Sequence, residues 1–299
     1  MAETTYYPIN RTNSISLPSE VSAEIIAKTL EESAIMRLAR RVSLPGRGVT
    51  IPVITGEPAA AWVAETNKKP VSNSTLSTKL MTPYKIAVIE TFSNEFRRDA
   101  AALYDELVRR LPAALAKVFD GTVIGTVAKP GDNFDSFANC TAQSILNNTY
   151  DGLVAADTDI AVHGGMLNGF ALSAQARGIL LGAVDGNGRP LFVNNTTEGA
   201  IPRLLGAAVY MNRGLYVAAG DTTPAVVGIA GDWSKAMYGT VEGVQISIND
   251  SATLDIGNST SINLWQQNMF AVRAEIEIGF RADTDAFNLL TGEEPEADD

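Results

Sequence analysis

The segment between Ser93 and Thr122 does most to limit what this chain can fold into. Its apolar residues Phe96, Ala100, Leu103, Tyr104, Leu107, Val108, Leu111, Leu115, Val118 and Phe119 recur at steps of three or four, the spacing of one buried stripe along a helix. Arg98, Asp105, Arg109 and Lys117 fall elsewhere on the wheel. Ser93 reads as the N-cap, with Glu95 and Asp99 bringing negative charge to the first turn, where the helix dipole favours it. A helix of this extent spans about 40–50 Å, long for one compact domain. Pro112 cannot donate to the carbonyl of Val108, so a bend is expected near the middle.

What precedes the helix reads as strand and hairpin. Ala61-Trp62-Val63-Ala64-Glu65 and the run from Pro83 to Ser93 flank a polar stretch, residues 66–75, too hydrophilic for a core. We expect a long two-stranded hairpin with a mobile tip, feeding directly into the helix. Upstream, residues 42–63 alternate short β-type runs with Pro and Gly, the composition of edge strands. Residues 1–17 are polar and without period, an extended arm. Pro18-Ser19-Glu20 then opens a helix carrying Val21, Ile25, Ile26 and Leu30. A second short stripe through Ile35, Met36, Leu38 and Ala39 runs out at Arg40-Arg41, expected at a helix C-terminus.

After the helix, Gly131-Asp132-Asn133 marks a shift toward Gly, Asn and Thr. Residues 159–162 read as a buried strand, residues 173–181 as a short helix capped by Ser173, and residues 185–190 as a turn cluster. Strands are expected at 207–211, 225–230, 244–248 and 270–280. The last alternates cleanly, with Arg273, Glu275 and Glu277 on a wet face and Val272, Ala274, Ile276 and Ile278 on a buried one. Residues 293–299 form an acidic tail.

Composition removes several functional classes. No run is long and apolar enough to cross a bilayer, and the first residues lack a secretory signal, so a membrane partner is not expected and synthesis in the cytoplasm is. The lone Cys140 permits no internal disulfide, and the lone His163, expected at a strand end, leaves a histidine-based triad or His-rich metal site hard to build. Gly186-Asn187-Gly188 lacks the third glycine and the setting of a dinucleotide loop. No catalytic residue, cofactor or metal is therefore expected. The formal net charge of −11, from 34 acidic and 23 basic residues, disfavours a surface that grips nucleic acid, but not a protein that encloses it. Lys68 and Lys69 read as solvated lysines in the hairpin; the sharper alternative is an isopeptide cross-link to an asparagine of another subunit.

Ala61-Trp62-Val63-Ala64-Glu65 with Lys69-Pro70, then Pro83-Tyr84-Lys85-Ile86-Ala87 and Phe92-Ser93-Asn94-Glu95-Phe96-Arg97-Arg98-Asp99-Ala100, form an ordered set of patches. They continue through Asn168-Gly169-Phe170-Ala171-Leu172-Ser173, Gly188-Arg189-Pro190-Leu191-Phe192, Leu204-Leu205-Gly206, Ile229-Ala230-Gly231-Asp232-Trp233-Ser234 and Gln267-Asn268-Met269-Phe270-Ala271-Val272-Arg273-Ala274-Glu275. In order and spacing they resemble the major capsid proteins of tailed bacteriophages with the Hong Kong 97 fold. The resemblance implies an α+β phage capsid fold: N-terminal arm (1–17), start of a peripheral domain (18–53), extended β-hairpin loop (54–85), peripheral domain with a long spine helix (86–145), axial α/β domain (146–258), return to the peripheral domain (259–292) and acidic tail (293–299).

It also implies a structural coat protein that self-assembles as pentamers and hexamers into an icosahedral shell around double-stranded DNA, without sequence-specific binding. The implied partners are other copies of the chain, a separate scaffolding protein, since the first helix begins by Pro18, and a portal protein. The implied location is the virion capsid, assembled in the host cytoplasm. An encapsulin-type compartment shell around enzyme cargo is the alternative. Trp62, Glu65, Lys68, Lys69, Arg97, Arg98 and Pro112 are the candidate intersubunit contacts. Cross-linking is not carried over, because no acceptor asparagine or catalytic glutamate matches by position.

Overall fold

The computed structural model describes residues 33–54, 62–63, 68–69, 76–95, 100–185, 187–192, 203–220, 223–256 and 261–293. The expected arm, the helix opening at Pro18, most of the hairpin tip, Glu65, Arg97, Arg98 and the acidic tail after Glu293 lie outside the described residues.

The first described element is a short helix, α1 (Ala34–Leu38), whose Met36 amide donates to the capping Ser33 hydroxyl. The chain then forms β1 (Arg40–Ser43) and the hairpin strands β2 (Val49–Ile54) and β3 (Leu76–Met81). Arg40 and Arg41 thus open a strand instead of closing a helix; the cap residue Ala39 is already extended. Strands β2 and β3 pair antiparallel in a two-stranded sheet of their own. The run returning from Pro83, expected as a hairpin arm, is instead β4 (Tyr84–Ser93) and joins the main sheet.

The long helix α2 (Ala100–Ile124) runs through Pro112. Leu107, Leu111, Leu115 and Phe119 of the expected stripe are buried, whereas Val118 is exposed. Ser93 closes β4, and its hydroxyl accepts from the Glu95 amide. Beyond β5 (Thr141–Ser144) the structure departs from expectation again: residues 159–162 end a helix, α3 (Thr149–Val162), and His163 is its C-cap. Leu153, Ala156 and Ile160 are buried at steps of three and four, the helical period, while Asp159 and Ala161 point away from that stripe. Then follow β6 (Gly169–Leu172), helix α4 (Ala174–Gly182) with Ser173 accepting from the Ala176 amide as its cap, β7 (Arg203–Leu204), β8 (Ala207–Met211), β9 (Ala225–Gly231), β10 (Ala236–Thr240), β11 (Gln245–Asn249), β12 (Thr253–Asp255), β13 (Ser261–Asn263), β14 (Met269–Ala282) and β15 (Phe287–Glu293).

Two large sheets organise these elements. In the five-stranded sheet β14 is the trunk: β4 pairs along one edge, and β11 and β10 along the other, with β1 beyond β10. The six-stranded sheet runs β5-β15-β9-β6-β8-β7. The sheets interleave the segments expected as separate domains. β10 and β11, from 146–258, pair in the sheet of β14, and β15, from 259–292, pairs with β5 and β9 in the other.

The core follows this plan. Leu107, Leu111 and Leu115 of α2 pack on Phe92, Phe270, Val272, Ala274 and Ile276 of the five-stranded sheet. α3 and α4 cover one face of the six-stranded sheet through Leu153, Ile160, Ala176 and Leu180. Between the sheets an aromatic cluster fills the centre. Phe137 stacks on Phe287 at 4.4 Å between centroids and meets Trp233 and Phe280 edge-on.

Candidate assembly surfaces

Because β2 and β3 share no strand pairing with the large sheets, other contacts must fix them to the body. Arg281, on β14, supplies the polar half. Its Nε donates to Leu80 O at 2.7 Å, Nη1 to Asp135 Oδ1 at 2.8 Å and to Asp132 O at 3.3 Å, and Nη2 to Asn133 Oδ1 at 2.9 Å. Asp135 uses its second oxygen to accept from the Ala282 amide at 3.0 Å. Lys79 of β3 adds a bond from Nζ to Ala282 O at 2.9 Å. Arg281 is only 8% exposed, so these charge-assisted bonds satisfy a desolvated cation, and losing one partner costs more than at the surface.

The expected contact residues fall in two places. Trp62, at 105% relative exposure, and Lys68 and Lys69 are open to solvent on the connection between β2 and β3. Pro112 lies on a different element, inside α2, and is buried within the subunit, away from that exposed connection. Other apolar groups also face outward: Val162 at the end of α3, Met166 beyond it, and Trp265 between β13 and β14. Burying such side chains on partners is the strongest non-specific drive for association.

Two polar junctions tie distant segments together. Asp120 on α2 is fully buried and accepts from Ser33 Oγ at 2.5 Å, Asn212 Nδ2 at 2.6 Å and the Ala34 amide at 3.3 Å. It joins the entry of α1, the long helix and the turn after β8. Burial pushes its carboxyl up to about 7, against the downward pull of those hydrogen bonds. Asp232 gathers the Ser234 hydroxyl at 2.6 Å, Asn168 Nδ2 at 2.8 Å and the Met166 amide at 3.0 Å, tying β9 to the approach of β6. Nothing in the sequence around Asp120 sets it apart. Asp232-Trp233-Ser234 does carry an Asp-x-Ser turn signal, which a search for local side-chain caps finds.

The groups with reactive potential are occupied structurally. Burial, with the Asp285 charge adding to it, pushes the Cys140 thiol up to about 12, leaving it unreactive. His163 Nδ1 lies 2.9 Å from the Asp159 carbonyl of the preceding turn. Among the described residues no group of three or more His, Cys, Asp or Glu could hold a metal ion, and no helix is long and apolar enough to cross a membrane.

Two sheets thus share an aromatic core, with a long helix packed across one of them and a hairpin strapped on at its root. A family model described as the phage capsid family matches residues 14–292. The chain belongs to this family, as a major capsid protein of the tailed-phage type. It is 31% identical to the probable major capsid protein gp17 of Mycobacterium phage L5, over 92% of this chain and 89% of that protein. It is 25% identical to the major capsid protein of Staphylococcus phage 80alpha, over 92% and 84% of the two chains. Among solved structures, one from Gordonia phage Cozz superposes with a TM-score of 0.68 at 22% identity, covering 87% of this chain and 86% of that one. The capsid of a native GTA particle matches at a TM-score of 0.61 and 14% identity, over 98% and 94%. The encapsulin-type alternative is not favoured by these matches.

Proposed function

We propose that this coat protein assembles as pentamers and hexamers into a closed icosahedral shell, with the β2–β3 hairpin lying across a neighbouring copy and α2 acting as the spine of the subunit. The observation that carries the reading is the hairpin itself: a sheet of two strands, bonded to its body near the root through Lys79 and Leu80, whose connection bears a wholly exposed tryptophan. A two-stranded hairpin is marginal alone and gains stability when a partner covers it. On this reading the five-stranded sheet with α2 is the peripheral part, and the six-stranded sheet with α3 and α4 the axial part.

The shell would enclose double-stranded DNA without reading its sequence, in keeping with a net charge of −11. Its role is structural and not enzymatic, and Trp62, Lys68 and Lys69 contact neighbours without covalent linkage. Scaffolding and portal proteins complete the assembly, which proceeds in the host cytoplasm. Electron microscopy of the purified protein tests the reading. Closed particles support it; a monomer that persists under all assembly conditions overturns it. A single band near 31.7 kDa on a denaturing gel of assembled particles is expected, and a ladder of covalent multimers would overturn the non-covalent assignment.

A further inference from the structure

We propose that Gly239 and Gly279 form a notch that sets the angle of the β2–β3 hairpin on the subunit, and through it the geometry of contact with the next copy of this chain. The inference rests on the hairpin being the overlap with a neighbour, and it names what aims that hairpin.

The two glycines are directly paired across β10 and β14. Neither has a positive φ, so backbone conformation does not explain them; space does. A Cβ on Gly279 would stand 2.8 Å from Met81 Cγ, 2.9 Å from Thr82 O and 3.1 Å from Leu44 Cδ2. A Cβ on Gly239 would stand 2.8 Å from Leu44 Cβ, 3.0 Å from Val42 O and 3.3 Å from Met81 Sδ. The same two side chains, Leu44 and Met81, therefore fill the hollow left by both glycines, and they are 2% and 0% exposed. They are also the two roots of the hairpin. Leu44 precedes β2 and Met81 ends β3. Between them Gly48, at φ +84°, turns the chain so closely that its own Cβ would lie 2.6 Å from Met81 O.

The apolar seat has a polar strap beside it, from Lys79 Nζ to Ala282 O and from Arg281 Nε to Leu80 O. Seat and strap hold the root at two points, which is the minimum that defines a direction. Strands of this length extend about 20 Å, so a tilt of about 10° at the root moves their far end by about 3–4 Å. That displacement is enough to unmatch a packed contact. Any side chain at Gly279 must lift the root, because one of the atoms it meets is backbone.

The test compares Gly279→Ala, Lys79→Met and, as a control for stability alone, Leu153→Ala in the core beneath α3. Each full-length chain is assayed for melting temperature and, after assembly, for shell yield and diameter by sedimentation and electron microscopy. Gly279→Ala and Lys79→Met are expected to remain folded while shells of wild-type diameter fall about tenfold, equivalent to ~1.4 kcal/mol at the contact. Leu153→Ala is expected to melt lower and still give shells of wild-type diameter. A folded Gly279→Ala chain with wild-type yield and diameter overturns the proposal. So does a Leu153→Ala chain whose diameters shift as much as those of Gly279→Ala. Should Gly279→Ala fail to fold, Lys79→Met decides, and wild-type shells from it overturn the proposal. Failure of the unsubstituted chain to form shells would instead overturn the reading of the protein as a shell subunit.

Discussion

Asp120 concentrates the residue-scale physics. A carboxylate at zero exposure keeps its place because Ser33, Ala34 and Asn212 all aim donors at it. Folding nonetheless raises its pKa from 3.8 to about 7, so across that window the native chain holds a proton the unfolded chain has released. This group's contribution is therefore greatest at low pH, falls as pH rises toward about 7, and is constant above. Asp120→Asn should flatten that slope, measured as melting temperature between about pH 5 and about pH 8. An unchanged slope in the variant would refute the assignment. Phe137 is the apolar counterpart: fully buried and in contact with three other rings, it should cost about 3–5 kcal/mol as Phe137→Ala, read by urea unfolding.

At the scale of elements, capping and continuity make separate predictions. The Asn148 side chain accepts from the Asp151 amide at the start of α3, so Asn148→Ala should destabilise the chain by about 0.5–2 kcal/mol in the same unfolding assay. Pro112→Ala restores a donor to the interior of α2 and should leave the fold intact or firmer. If Pro112 shapes the long helix, the same change should alter shell diameter under electron microscopy, although the residue is buried within its own subunit. Shells indistinguishable from wild type would remove it from the assembly argument. Asp159-Ile160-Ala161-Val162 is a short apolar run of the kind a buried strand carries, and only the longer window, with the Asn148 cap and buried Leu153 and Ala156, restores the helical period.

For the whole molecule, charge and surface set expectations that no single residue does. At −11 the subunit should not co-sediment with free DNA at about 50 mM salt, and a shell that does so and resists elution would contradict a non-gripping container. The sequence alone determined what depends on near neighbours: the Leu107, Leu111, Leu115 and Phe119 stretch of the α2 stripe, the alternation of β14, the Ser173 cap, the Asp185 turn, and the ordered motifs by which the family is recognised. Period and cap are properties of a few consecutive residues, so they can be read locally. Tertiary structure alone decided that β15 pairs with β5, that Tyr84–Ser93 leaves the hairpin for the trunk strand, that Pro112 is buried, and that Gly239 faces Gly279 beneath Met81. Those outcomes join residues tens to hundreds of positions apart. Many partners satisfy the same local pattern, and only simultaneous packing of the whole chain selects among them.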